Sequence, residues 1–94
     1  MPYIGTENRP KLDALMTPLI DHVRSLPMED QDGALNYTIT RVLLSTYPPK
    51  YFNYNRALGL LSAVTQEFYR VVVGPYEDEK IRQNGPVVPA GEQR

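Results

Sequence analysis

Apolar side chains recur along this chain at the spacing of α-helical faces. Leu12, Leu15, Met16, Leu19, Ile20 and Val23 fall at i, i+3, i+4, i+7, i+8 and i+11, so they line one side of a helix and predict such an element over about 9–25. Pro10 suits its first turn, where a missing N–H costs little, and Thr6 or Asn8 can cap the free donors. Leu26-Pro27 ends it. A polar run, Met28-Glu29-Asp30-Gln31-Asp32-Gly33, reads as a turn in which Asp30 or Asp32 caps the next helix. Leu35, Ile39, Val42, Leu43 and Thr46 then predict this second helix over about 33–47. Tyr37, Thr38, Ile39, Thr40 and Val42 also carry strand propensity, which leaves a strand open there.

Tyr47-Pro48-Pro49-Lys50 must turn, because consecutive prolines break the helical ladder and restrict the residue before them. Beyond the corner, Tyr54, Ala57, Leu58, Leu61, Val64, Thr65, Phe68 and Val72 keep the helical period over about 54–73, with Asn53 or Asn55 as cap. Gly74-Pro75 interrupts this stretch. Pro75 nevertheless suits a first turn, with Glu77, Asp78 and Glu79 early and Lys80 and Arg82 late. A short helix over about 75–84 is therefore expected, either separate or as a kinked continuation, stopped by Asn84-Gly85. The pattern predicts an all-α chain: a small bundle of three amphipathic helices and a short or kinked fourth, in one domain over 1–85, with a flexible tail over 86–94.

Composition narrows the function classes. A chain of 94 residues buries only about 60–65% of its unfolded surface, so its stability is modest unless it associates. Formal net charge is −1, and no global field draws the protein to nucleic acid or an anionic membrane. There is no cysteine, which excludes disulfides, thiolate catalysis and Cys-based metal sites. The N-terminus lacks the basic and apolar regions of a signal peptide, and no apolar run approaches ~20 residues; a cytoplasmic location is expected.

The run Pro75-Tyr76-Glu77-Asp78-Glu79-Lys80-Ile81, then Asn84-Gly85, stands out with Tyr54-Asn55, Glu67-Phe68-Tyr69-Arg70-Val71-Val72, Met1-Pro2-Tyr3-Ile4 and Gly33-Ala34-Leu35-Asn36-Tyr37-Thr38-Ile39-Thr40. Together these segments resemble a family of short uncharacterised proteins of bacteria and their phages, a domain of unknown function. The resemblance covers most of the chain and implies a helical fold and a phage or prophage origin. It carries no activity, and the tail after Gly85 departs from the Asp-Val ending of that family.

Several polar and aromatic residues have no evident packing task. Tyr47, Tyr51, Phe52 and Tyr54 interleave with Lys50 and Arg56, and rings beside cations can stack bases or purines. The competing reading is that a two-proline corner needs bulky side chains to close the end of a core. A subunit interface would use the same residues. Tyr76 and Lys80 share a helical face at i, i+4 and either contact a ligand or belong to a solvated helix, with Glu77–Lys80 and Asp78–Arg82 pairs and Tyr76 packed back on the third helix. Arg41, Arg56 and Arg70 border apolar stripes, where guanidinium groups fork onto phosphate or carboxylate, or pair with acids such as Glu67. His22 is alone and reads as a surface residue. Glu77 and Asp78 splay apart on a helix, which argues against an acid–base pair.

Phosphate loops, nucleophile elbows and paired histidines are absent from the sequence. The expectation is a non-enzymatic, self-associating helical binding protein without cofactor or metal. Phage resemblance points to interference with a host process by binding a host protein; the alternative is sequestration of a small signalling nucleotide between subunits. Candidate binding residues are Tyr51, Tyr54, Arg56, Arg70, Tyr76 and Lys80.

Overall fold

The computed structural model describes residues 3–88, and every regular element among them is helical. The strand left open at Tyr37 to Thr40 does not form. The chain divides into two units, 1–58 and 59–94, with the division inside one helix; each is described separately.

In the first unit a short 3-10 turn, Thr6–Asn8, leads into α1, Arg9–Ser25. Neither Thr6 nor Asn8 caps α1 through its side chain. The 3-10 turn does that work with backbone: the Asn8 N–H donates to the Gly5 carbonyl at 3.0 Å and the Arg9 N–H to the Thr6 carbonyl, while the Arg9 guanidinium donates to the Ile4 carbonyl at 3.1 Å and lies 5.7 Å from the centre of the Tyr3 ring. Pro10 sits in the first turn as expected. Pro18 lies inside α1, where it withholds a hydrogen bond from the Ala14 carbonyl. Extended backbone at Leu26 stops the helix, and the Leu26 N–H donates to Val23 at 3.1 Å.

α2, Met28–Thr46, begins five residues before the expected position. The polar run from Met28 to Gly33 is its first turns rather than a loop. Pro27, at φ −55°, is the cap residue and supplies no side-chain bond; neither Asp30 nor Asp32 is the cap. Glu29 and Asp30 lie in the first turn, where carboxylates face the positive end of the helix dipole, each such charge contributing roughly 0.3–1 kcal/mol. Gln31 Nε2 also donates back to the Leu26 carbonyl at 3.2 Å. Buried and half-buried positions gather around this two-residue connection: Val23, Leu26, Gln31 and Ala34. Among the described residues only Val23, 8% exposed, is buried.

α2 ends at Tyr47, and α3, Tyr51–Phe68, starts directly after the proline corner, three residues earlier than expected. Asn53 and Asn55 are therefore inside α3 rather than capping it. Lys50 closes the corner, its N–H donating to Pro48 at 2.8 Å and its carbonyl accepting from Tyr54 at 2.9 Å.

From Gly59 to Asn84 the second unit is a single run of helix. Beyond Phe68, residues Tyr69–Val73 form a π turn and α4, Gly74–Asn84, continues with helical backbone throughout. Gly74-Pro75 is thus a continuation through a widened turn. Pro75 has no N–H and its ring would collide with the carbonyl four residues earlier in a regular α-helix; the wider turn relieves this, with the Gly74 N–H donating to Tyr69 instead. A Cβ on Gly74 would lie 3.2 Å from the Tyr69 carbonyl oxygen, so this site is tight. Gly85, at φ +89°, ends α4 as the sequence predicts. Residues 86–88 are non-helical; the rest of the expected tail, 89–94, lies outside the described residues.

Candidate functional site

The six candidate residues fall in both units. Tyr51, Tyr54 and Arg56 stand on the first turns of α3, where a helix starting immediately after two prolines must present its opening side chains with little chain around them. Tyr51 is 81% exposed and Tyr54 about half exposed. Arg56 reaches back over the Tyr47 ring, 5.0 Å from its centre, and donates to Asn53 Oδ1 at 3.1 Å. The guanidinium is thus stacked and hydrogen-bonded by its own neighbours. The aromatic cluster of the corner is real as a surface feature, but Tyr51 and Phe52 do not close a core.

Arg70, Tyr76 and Lys80 belong to the second unit. Arg70 pairs with Glu67, one helical turn away, as one sequence reading anticipated. Lys80 lies 5.5 Å from the Tyr76 ring, the i, i+4 match that the spacing implied. Tyr76 itself is exposed and does not pack back on α3. The expected Asp78–Arg82 pair is replaced by Arg82 with Glu79. Glu77 is occupied by Tyr69 rather than by Lys80: the Tyr69 hydroxyl donates to its carboxylate. Each cationic candidate therefore already has a partner on its own helix or at the adjoining corner.

The Tyr69–Glu77 bond is the site feature that sequence reasoning missed. Eight residues of α-helix would set the two side chains about 80° apart around the axis, on different faces. Only the extra residue of the π turn brings them into line, and the one hint in the sequence is the Gly74-Pro75 step that requires such a turn. The bond raises the Tyr69 phenol above its ordinary value, first because ionisation would lose the hydrogen bond to Glu77 and then because the Glu77 charge opposes a second negative charge.

The apolar stripes are equally part of the surface. Leu12, Leu15, Met16, Leu19 and Ile20 of α1 are all exposed, as are Leu35, Ile39 and Val42 of α2 and Leu61, Val64 and Phe68 of α3. His22 is exposed, as predicted. No helix among the described residues is long and apolar enough to cross a membrane, and no group of three or more His, Cys, Asp or Glu side chains among them is placed to hold a metal ion.

A family model described as a domain of unknown function, DUF6899, matches residues 1–87. No curated protein matches the chain, and no solved structure does.

Proposed function

The chain belongs to the DUF6899 family, and we propose that it is a non-enzymatic, self-associating binding protein whose helical stripes are completed by other protein surface. One observation carries this reading: amphipathic helices with a regular apolar period leave that period uncovered. Full burial of one Val, Leu, Ile or Phe side chain is worth roughly 1.5–3 kcal/mol, and isolated helices without tertiary burial are marginal in water. A run of helix such as 59–84 has nothing within itself to bury against. Covering its stripe by association stabilises both copies.

The phage resemblance of the Pro-Tyr-Glu-Asp run extends this reading to interference with a host process, with a host protein docked on the assembled surface. Sequestration of a small nucleotide is the second reading. It is favoured by exposed Tyr51 beside the Arg56–Tyr47 stack, but Arg56 would have to give up Asn53 to reach a phosphate.

Dilution tests the primary reading. A hundredfold fall in protein concentration removes about 2.7 kcal/mol of association free energy per dimer, so the melting temperature followed by circular dichroism falls with dilution. A melting temperature that does not move over this range opposes self-association. A nucleotide panel that raises the melting temperature of the wild type but not of Tyr51→Ala or Arg56→Ala would favour the second reading instead.

A further inference from the structure

Resting on the self-association reading, we infer that the partner of α3 is α3 of a second copy, lying antiparallel to it with a two-fold axis between Leu61 and Val64. Within the stripe, Tyr54, Ala57, Leu61, Val64 and Phe68 fall at alternating spacings of three and four, the repeat of a helix–helix seam rather than of a broad helical face. The π turn Tyr69–Val73 then brings Val72 into line behind Phe68. Gly59 and Gln66 occupy the positions opposite this seam, and Gly59 has open space where a side chain would be.

The order of sizes selects the occupant and its direction. From Tyr54 to Val72 the seam alternates bulky and small: Tyr, Ala, Leu, Val, Phe, Val. In a parallel, in-register pair each residue meets its own copy, so Phe68 faces Phe68 and Ala57 faces Ala57, crowding one layer and leaving a void in the next. Reversed, the same list complements itself. Leu61 faces Val64 of the second copy, Ala57 faces its Phe68, and Tyr54 faces its Val72, so that every layer joins one bulky and one small side chain. Self-complementarity under a two-fold rotation is what an isologous dimer requires.

Area and charge agree. Tyr54, Leu61, Val64, Phe68 and Val72 are each between about one-third and three-fifths exposed, as is Leu60 at one flank, with Leu58 at the other and Tyr51 more so. Half of the ~150–250 Å² that an aromatic side chain can bury at Tyr51, Tyr54 and Phe68, with a smaller share from each Leu and Val, gives on the order of 600 Å² per copy, the lower end for a specific interface. The seam holds no carboxylate or cationic side chain, its nearest acid Glu67 is paired with Arg70, and a net charge of −1 adds little repulsion between copies.

Because the chain has no cysteine, single spin labels can be placed at Asn55→Cys and Ser62→Cys, which occupy the same side of the helix two turns apart. In the antiparallel pair the two labels at position 55 are offset by ~22 Å along the axis and those at 62 by only ~1.5 Å. Pulsed electron paramagnetic resonance should therefore give a clearly longer distance at 55 than at 62. Ala57→Phe, which meets Phe68 of the other copy, should weaken association roughly tenfold or more, and Ala57→Phe with Phe68→Ala should recover it. Equal distances at the two positions, or association untouched by Ala57→Phe, in a protein that still sediments as an oligomer would overturn this pairing while leaving self-association intact. Absence of any dipolar coupling together with a monomer mass would overturn both.

Discussion

Gly59 offers the sharpest energetic prediction. It lies in the interior of α3 at helical geometry, and a Cβ built on it meets nothing within 4 Å. Glycine in a helix interior is less favourable than alanine by about 0.8–1.0 kcal/mol, mostly through the extra freedom it confers on the unfolded chain. With no clash to offset that gain, Gly59→Ala should stabilise the protein by nearly the full amount, and at about 4–8 °C per kcal/mol for a domain of this size its melting temperature rises by several degrees. Gly33, in α2 with equally open space, should respond in the same sense. Gly74 is the internal control: its Cβ would stand 3.2 Å from the Tyr69 carbonyl oxygen, so Gly74→Ala should gain less than Gly59→Ala. Thermal denaturation at 222 nm and one fixed protein concentration reads all three. A lower melting temperature for Gly59→Ala would mean that another surface closes on that side of α3, which contradicts both the open space and the placement of the seam on the opposite side.

Three further outcomes are expected from the site and the helix ends. The raised Tyr69 phenol is protonated in the folded state above the pH at which it ionises in the unfolded chain, so its contribution is complete below about pH 10 and lost as pH climbs through the raised value. In an absorbance titration one of the seven tyrosines should ionise late, and Tyr69→Phe should remove that late step; a late step that survives assigns it elsewhere. Gly85→Ala places a side chain at φ +89°, ψ 152°, a region open essentially to glycine alone, and should cost about 1–3 kcal/mol, seen as faster amide exchange over the last turn of α4; unchanged protection there refutes the cap. Tyr47→Ala removes the ring under Arg56 and should lose about 0.5–1 kcal/mol at this exposed pair, measured by urea denaturation, with a neutral result showing that the stack contributes nothing.

Much of the helical order was readable from the side-chain period. Leu12 to Val23 and Tyr54 to Phe68 each place bulky residues at three- and four-residue steps, and α1 and α3 contain those residues. Helix starts were harder because the signals compete. Asp30 reads equally as a cap or as a first-turn acid, and once Pro27 fixed the entry, the second role prevailed. Asn53 reads as a cap but serves as acceptor for Arg56. Of the candidate residues, the Tyr76–Lys80 match came directly from i, i+4 spacing, whereas Glu67 was named only as one acid that the border arginines could meet, and it is Arg70 that pairs with it. Tyr69 with Glu77 could not be reached from regular spacing, since only the π turn aligns them. Nor does the period of one chain say what covers it: the same stripe would serve an internal core or a second copy, and the sequence does not show that Leu61, Val64 and Phe68 are open in the single chain.

The most direct test of this account is the molar mass of the purified protein in solution, by sedimentation equilibrium at micromolar concentrations. The account predicts a multiple of the 10.7 kDa chain, shifting towards the single-chain value on dilution. A stable 10.7 kDa species that keeps its full helical signal at every concentration would contradict it.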